Sequence, residues 1–228
     1  MTEILFEGKL PNGLRVTMRP LGVANLPEIL YLQEEVIDAL EDPARLQPLS
    51  EEEFLFILEG NGDMIGVFDG EEMIAWRAML IPDNDHEGLG RDVGVPEEDI
   101  PKVIYQEISA VSPRFRGNGL QKMMAGVLMD RVDRNRFRYV CATVMPGNIP
   151  SLKDKFSQGL EVAALKDKYG GKLRYVFVKD LAAPEQLRTR SQLIPMADIA
   201  GQQALLADGW RGTELIRTDE DWQVQYER

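Results

Sequence analysis

Apolar residues recur along this chain with two periods, and the switches between them divide it into elements. Leu26, Ile29, Leu30, Leu32, Val36, Ile37 and Leu40 repeat at helical spacing, which predicts a helix over 26–40 with Pro27 in its first turn. Ser50 followed by Glu53 is a capping-box pair and predicts a second helix through Phe54, Leu55 and Leu58 that stops near Gly60. Before these, residues 3–19 read as two short extended pieces around the turn signal Pro11-Asn12-Gly13. Strands over 64–68 and 73–81 are joined at Asp69-Gly70, another tight-turn dipeptide.

The period changes again in the second half. Residues 82–101 are a long acidic connection bearing Gly and Pro. Val103–Val111 is β-branched and apolar enough for a central strand, closed by Pro113. A helix is predicted over 117–132, with a stripe of Leu120, Met123, Met124, Val127 and Leu128 that reads as core filler. A strand over 138–145 ends at Pro146-Gly147, and a short helix over 151–158 stops at Gly159. Strands over 160–165 and 172–179 flank Gly170-Gly171. Beyond 180 the pattern weakens to a helix near 198–207 and extended pieces carrying Trp210 and Trp222, both expected to pack in the core. No internal repeat is visible. Hairpins mixed with strand–helix–strand units predict a mixed α/β (α+β) fold with helices on both faces of its sheet. The expected division is a main domain over 1–180 and an extension over 181–228 packed on it.

Composition narrows the function classes. Forty-four percent hydrophobic and 28% charged residues describe an ordinary globular protein. No apolar run approaches the roughly 18 residues a membrane span needs, and MTEILFEGKL lacks the basic-then-apolar order of a leader, so a cytoplasmic protein is expected. Cys141 is the single cysteine; it excludes an internal disulfide and, amid apolar strand residues, reads as a small core hydrophobe. A formal charge of −12 argues against general nucleic-acid binding. It favours cationic partners through the long-range field, or serves solubility alone.

His86 is the only histidine, which excludes multi-histidine metal sites and speaks against a serine–histidine triad. The loop from Asp83 to Gly88 opens like a calcium loop, with acidic side chains at positions 1, 3 and 5 and glycine at 6. Position 12 is Gly94 instead of glutamate, so no metal is expected. The loop carboxylates of Asp83, Asp85, Glu87 and Asp92 either steer a cationic amine or are simply solvated.

Candidate chemistry concentrates in SPRFRGNGLQKMM, residues 112–124. Where a strand gives way to a helix, the first N–H groups of the helix lack partners and its dipole attracts anions. Gly117 and Gly119 remove side chains from that approach, and Arg114 and Arg116 add charged donors. A P-loop would need Gly-Lys-Ser/Thr, but Leu120 and Gln121 follow Gly119. A dinucleotide fingerprint would need glycine where Lys122 stands. At this point a plain turn and a phosphate cradle both remain open.

The stretch Arg114-Phe115-Arg116-Gly117-Asn118-Gly119 resembles the Gln/Arg-x-x-Gly-x-Gly/Ala signature of the GNAT superfamily of acyl-CoA-dependent N-acetyltransferases. Its surroundings agree with that family. Strand YQEISAVSP precedes it, an amphipathic helix and RYVCATVM follow, and Asn148, Ser151 and Gly159-Leu160 resemble the Asn-x-x-Ala/Ser…Gly-Phe pattern. LRVTMRP and LPEILYLQEEVIDAL resemble the first strand and helix, so the likeness spans roughly 14–180.

The resemblance implies a mostly antiparallel sheet with a V-shaped splay between the strands around 103–111 and 138–145. It implies acetyl-CoA as acyl donor, its pantetheine arm bonding backbone at Ala110 and Val111. Arg114, Arg116, Gly117, Asn118, Gly119, Leu120 and Gln121 would wrap the pyrophosphate, with Asn148 and Ser151 also toward the cofactor. The Val111 N–H would serve as the oxyanion contact. The implied reaction is direct attack of a primary amine, on a small molecule or a peptide, upon the thioester. Homodimers are common in that family, though this sequence carries no sign of one. The family's tyrosine acid falls at Lys155, which reads as a solvated helix-face residue, with proton donation or a phosphate contact as alternatives; Tyr169 and Tyr175 are substitutes of unknown placement. Glu107, on the strand face of Ser109 and Val111, is the candidate base unless a neighbouring cation claims it. The missing tyrosine also leaves room for a catalytically silent acyl-CoA sensor of the same fold.

Overall fold

The structure is a computed structural model describing residues 3–41, 46–83, 85–183, 187–219 and 221–228. In chain order its elements are β1 (Phe6–Lys9), β2 (Arg15–Pro20), α1 (Leu26–Asp38), α2 (Glu51–Phe56), β3 (Gly62–Asp69), β4 (Glu72–Leu80), α3 (Leu89–Asp92) and β5 (Val103–Val111). Then follow α4 (Leu120–Arg131), β6 (Tyr139–Val144), α5 (Ile149–Ser157), β7 (Glu161–Lys168), β8 (Lys172–Asp180), β9 (Ser191–Pro195), α6 (Ile199–Ala207), β10 (Arg211–Arg217) and β11 (Trp222–Glu227). The chain clusters into two units. One holds residues 1–81 and 106–132, the other 82–105 and 133–228.

The first unit is a meander. β1 and β2 pair antiparallel from Phe6↔Met18 to Lys9↔Arg15, β2 pairs β3, and β3 pairs β4 across the Asp69–Gly70 turn. β5 takes the next place beside β4, where the Ser112 N–H donates to the Ile74 carbonyl at 2.9 Å. From Met73 to Leu80 every residue of β4 is buried, so both of its faces are covered. Successive side chains point to opposite faces. Trp76 donates its indole N–H to the Ile29 carbonyl of α1 at 3.2 Å, while its neighbour Arg77 reaches the Gln121 carbonyl of α4 at 3.2 Å. Helices therefore lie on both faces, as the mixed pattern predicts.

α2 opens with the reciprocal cap that Ser50 and Glu53 predict: Ser50 N–H donates to Glu53 Oε2 at 2.7 Å, and Glu53 N–H to Ser50 Oγ at 3.3 Å. Several element boundaries shift by one to three residues, and one of these shifts bears on the glycine turn. The helix predicted over 117–132 begins only at Leu120, because Gly117 and Gly119 adopt φ of +81° and +75°, outside helical geometry.

In the second unit β5 and β6 pair in parallel over Val103–Tyr105 and Tyr139–Cys141. β6 then pairs β8, β8 pairs β7, β7 meets β10 at Val162↔Gly212, β10 pairs β11, and β11 pairs β9, all antiparallel. Residues beyond 180 thus extend this unit's sheet by three strands, of which β9 has no clear sequence signal. Trp210 is buried, whereas Trp222 is half-buried with Lys153 and Arg217 above its ring at 4.7 and 5.3 Å. Among the described residues no helix is long and apolar enough to cross a membrane.

Candidate functional site

The turn between β5 and α4 is fixed from below. Ser112 is buried; its hydroxyl donates to Glu35 Oε1 at 2.9 Å, and its carbonyl accepts the Phe115 N–H at 2.9 Å. Pro113–Phe115 form one 3-10 turn, Arg116 is extended, and Gly117 and Gly119 bracket Asn118 in left-handed geometry. The Asn118 amide donates to the Phe115 carbonyl at 3.0 Å and so occupies that acceptor. Its N–H groups face no such partner. Among the described residues no protein acceptor takes the N–H of Gly117, Asn118, Gly119, Leu120 or Gln121. A Cβ built on Gly117 or Gly119 would meet nothing within 4 Å, so the space beside these donors is open. Five N–H groups without protein acceptors at the start of a twelve-residue helix are donors that an anion could use.

The two arginines of the turn differ. Arg114 is exposed and bonds Glu72, with Glu35 at 3.9 Å; the Glu72 bond is the main cause holding its guanidinium even further above its ordinary pKa. Arg116 is exposed and engages no carboxylate among the described residues. It is the arginine free to meet an incoming anion.

Arg77 and Gln106 are functional supports that the sequence reading misses. Arg77 is only 1% exposed; besides the Gln121 carbonyl it donates to Gln106 Oε1 at 2.7 Å, which fixes the first turn of α4 against β4 and β5. The available signal is one charged residue inside the apolar run MIAWRAML. On β5, Gln106, Ile108 and Ala110 are buried, while Glu107, Ser109 and Val111 form the half-exposed face. Gln121 reaches Ser109 Oγ at 3.5 Å, so this face adjoins the turn. Ser109 thus adjoins the turn through Gln121, and Glu107 and Val111 stand on the same face of β5 two positions to either side of it, all within the first unit.

Asn148 and Ser151 belong to the second unit. Asn148 caps α5, its Oδ1 accepting the Ser151 N–H at 3.3 Å. Lys155 departs from the expected solvated position: it is 9% exposed and lies 3.4 Å from Asp154, itself buried. α5 spans nine residues and packs this flank onto β10, which a reading of the helix alone could not foresee. Tyr175 is fully buried and donates to Gln202 at 2.7 Å, and Tyr169 bonds Thr143 at 3.1 Å.

The acidic loop is organised inward. Asp85 is 2% exposed, accepts the Gly90 and Arg91 N–H groups at 3.0 and 3.1 Å, and takes the Tyr105 hydroxyl proton in a hydrogen bond. Burial and that carboxylate push the Tyr105 phenol well above its usual range. Asp92 bonds Lys166 at 2.6 Å and Lys168 at 2.8 Å. Although burial raises its pKa, the two lysine bonds outweigh that and hold it below the usual carboxylate value. Asp85 and Asp92 thus build the loop instead of steering an amine. Asn84, part of the calcium-loop reading, lies outside the described residues. Among the described residues no three His, Cys, Asp or Glu side chains gather as metal ligands. His86 is exposed, 3.6 Å from Glu87.

Cys141 is fully buried on β6, and burial pushes its thiol well up. Native protein at pH 8 should therefore resist a thiol-reactive dye, with one equivalent labelled on denaturation; rapid native labelling would contradict this packing.

No protein-family model matches the sequence, and no curated protein does. Solved structures do match. The yncA protein of Salmonella typhimurium, solved with its cofactor acetyl-CoA, superposes with TM-score 0.55 at 15% identity, over 75% of this chain and 99% of that one. The ribosomal-protein-S18-alanine N-acetyltransferase of Escherichia coli gives 0.55 at 14%, over 75% and 97%. The GNAT domain of S. lividans PAT gives 0.52 at 18%, over 77% and 96%. A mixed α/β chain that spans nearly the whole of each of these domains, with a glycine turn opening the helix after its central strand, has the fold of the GNAT N-acetyltransferases.

Proposed function

We propose that the protein is an N-acetyltransferase that takes its acetyl group from acetyl-CoA and gives it to a primary amine of a small molecule or peptide. The observation that carries this reading is the set of unpartnered N–H groups from Gly117 to Gln121 beside the free guanidinium of Arg116. These residues fit a diphosphate: donors without protein acceptors, no side chain on the open side, and one exposed positive charge. Arg114, tied to Glu72, closes the rim; Ala110 and Val111 offer backbone to the pantetheine arm, and Asn148 and Ser151 supply the further cofactor contacts. Residues 1–180 are the transferase domain in this reading and 181–228 its extension, in a cytoplasmic protein.

Acetyl-CoA supplies an activated acyl carbon and a sulfur that leaves with the electron pair of the broken C–S bond. The chain supplies the rest. The Val111 N–H is the donor for charge developing on the carbonyl oxygen, fixed in place by the strand and costing little reorganisation. A primary amine with a reference pKa near 10.4 must lose a proton before it can attack. Glu107, on the same half-exposed face as Val111, is the group proposed to take it, directly or through water. One observation favours the second reading, a silent acyl-CoA sensor: Lys155 stands where the family's tyrosine would be and is buried against Asp154.

Release of free thiol from acetyl-CoA across a panel of amines separates the two. The transferase reading expects release with at least one amine, and Glu107→Gln to lower kcat by roughly 10²-fold, as loss of a general base does, with coenzyme A affinity kept. Silence across the panel with intact coenzyme A binding leaves the sensor standing. Failure to bind coenzyme A at all ends both.

A further inference from the structure

Two kinds of contact seat α4 on the sheet. Leu120, Met124, Ala125 and Leu128 are buried along it and supply the apolar packing that folds the helix. Polar bonds accompany them that packing alone does not require. Arg77, inside the apolar run of β4, donates to the Gln121 carbonyl at 3.2 Å and to Gln106 Oε1 at 2.7 Å. Gln106 in turn directs its Nε2 to Met129 Sδ at 3.3 Å. Gln121 and Met129 lie about 12 Å apart along α4, at 1.5 Å of rise per residue. The Arg77–Gln106 pair therefore holds the helix at two points, which fixes its height and rotation over β4 and β5.

Stability gives little reason for this arrangement. Arg77 and Gln106 are both buried, and exchanging such a pair for apolar side chains of similar volume is commonly neutral or stabilising. The helix dipole also disfavours a cation at this end of α4. Precision gives a better reason. The turn carries five N–H groups without protein acceptors, and the space beside Gly117 and Gly119 offers nothing within 4 Å to lean on. The aim of these donors must be set from the protein side. Ser112 anchors the strand end of the turn through Glu35. Gln121 anchors the helix end: its carbonyl is held by Arg77 and its side-chain amide reaches Ser109 Oγ at 3.5 Å, which leaves its N–H for a ligand. Donors aimed beforehand bind more tightly than donors that must be ordered on binding.

We propose that Arg77 is a positioning residue for the cofactor: through the Gln121 carbonyl it aims the N–H groups of the turn, so coenzyme A affinity depends on it more than folding does. This rests on the reading that the turn holds the diphosphate. The test compares the full chain with three variants, by titration calorimetry with coenzyme A and by thermal melting without it. Arg77→Met takes the donor from the buried Gln106 oxygen and should lower the melting temperature. Adding Gln106→Leu removes that acceptor as well and should restore stability without restoring affinity. Both variants should bind coenzyme A at least about tenfold more weakly than the parent, the contribution of one charge-assisted hydrogen bond. Arg77→Lys keeps a cation and one reach toward the carbonyl without the guanidinium fork, and should bind between the parent and the double variant. The proposal is overturned if the double variant regains affinity together with stability, or binds as the parent does. Either result would make Arg77 a prop for the fold alone. Should the double variant fold poorly, Arg77→Lys decides: parental affinity in that folded variant overturns the proposal, and weaker binding supports it. A parent that binds no coenzyme A ends the diphosphate reading itself, and this inference with it.

Discussion

Arg116→Glu combined with Gly119→Glu should abolish measurable coenzyme A binding while leaving the fold intact. Arg116 engages no described carboxylate, so its loss breaks no ion pair of the protein. Gly119 opens onto empty space, so a larger side chain there meets no wall, although its φ of +75° adds local strain. Against a diphosphate the same pair of changes removes one charged donor and sets two carboxylates in front of five N–H groups. Charge-assisted hydrogen bonds contribute about 1.5–3 kcal/mol each, so losing two such interactions costs roughly 3–6 kcal/mol, or 10²–10⁴-fold in affinity. Titration calorimetry measures this directly, with the circular dichroism spectrum as the check on folding. Arg114→Gln provides the contrast. Because Glu72 already occupies that guanidinium, its removal should cost less than about fivefold, the scale of an exposed pair. Equal losses at Arg114 and Arg116, or near-parental affinity in the double variant, would mean that the turn holds no phosphate.

That contrast could not be drawn from the sequence, where the two arginines look alike. Local signals were legible because they act over a few residues. The Ser50–Glu53 cap, the Asp69–Gly70 hairpin and both ends of β5 follow from side chains within one turn of where they act. The glycines of the turn were legible for the same reason, though their positive φ delays the start of α4 to Leu120. What supports the turn was not legible. Ser112 bonds Glu35 across 77 positions and Arg77 bonds Gln121 across 44, and no periodicity carries such pairings. Lys155 shows the converse error: a lysine on a short helix is ordinarily solvated, but burial depends on what the helix packs against. Likewise Asp85 looked like one of several solvated loop carboxylates until its acceptance of two helix N–H groups and a phenol gave it a structural task.

Residues beyond 180 were the least legible part of the chain, and Gln202 tests whether they are integral to the second unit. It is fully buried on α6; its Oε1 accepts the hydroxyls of Tyr175 on β8 at 2.7 Å and Tyr226 on β11 at 2.9 Å, and its Nε2 donates to the Met196 carbonyl at 2.9 Å. Burial raises the pKa of both phenols, so each remains a protonated donor that must find an acceptor. Gln202→Leu keeps the approximate volume but strands two hydroxyls, at about 1–3 kcal/mol each, so stability should fall by roughly 2–6 kcal/mol. For a chain of this size that is a drop of about 4–24 °C in melting temperature. Adding Tyr175→Phe and Tyr226→Phe to Gln202→Leu removes the stranded donors along with their acceptor, and replacing both partners of a buried hydrogen bond by apolar groups is close to neutral. The triple variant should therefore recover most of the loss that the single substitution causes. If the single variant melts within a degree or two of the parent, the amide does not hold β8, β11 and α6 together. If the triple variant is less stable than the single one, the cost at this position comes from packing volume and not from unsatisfied hydroxyls.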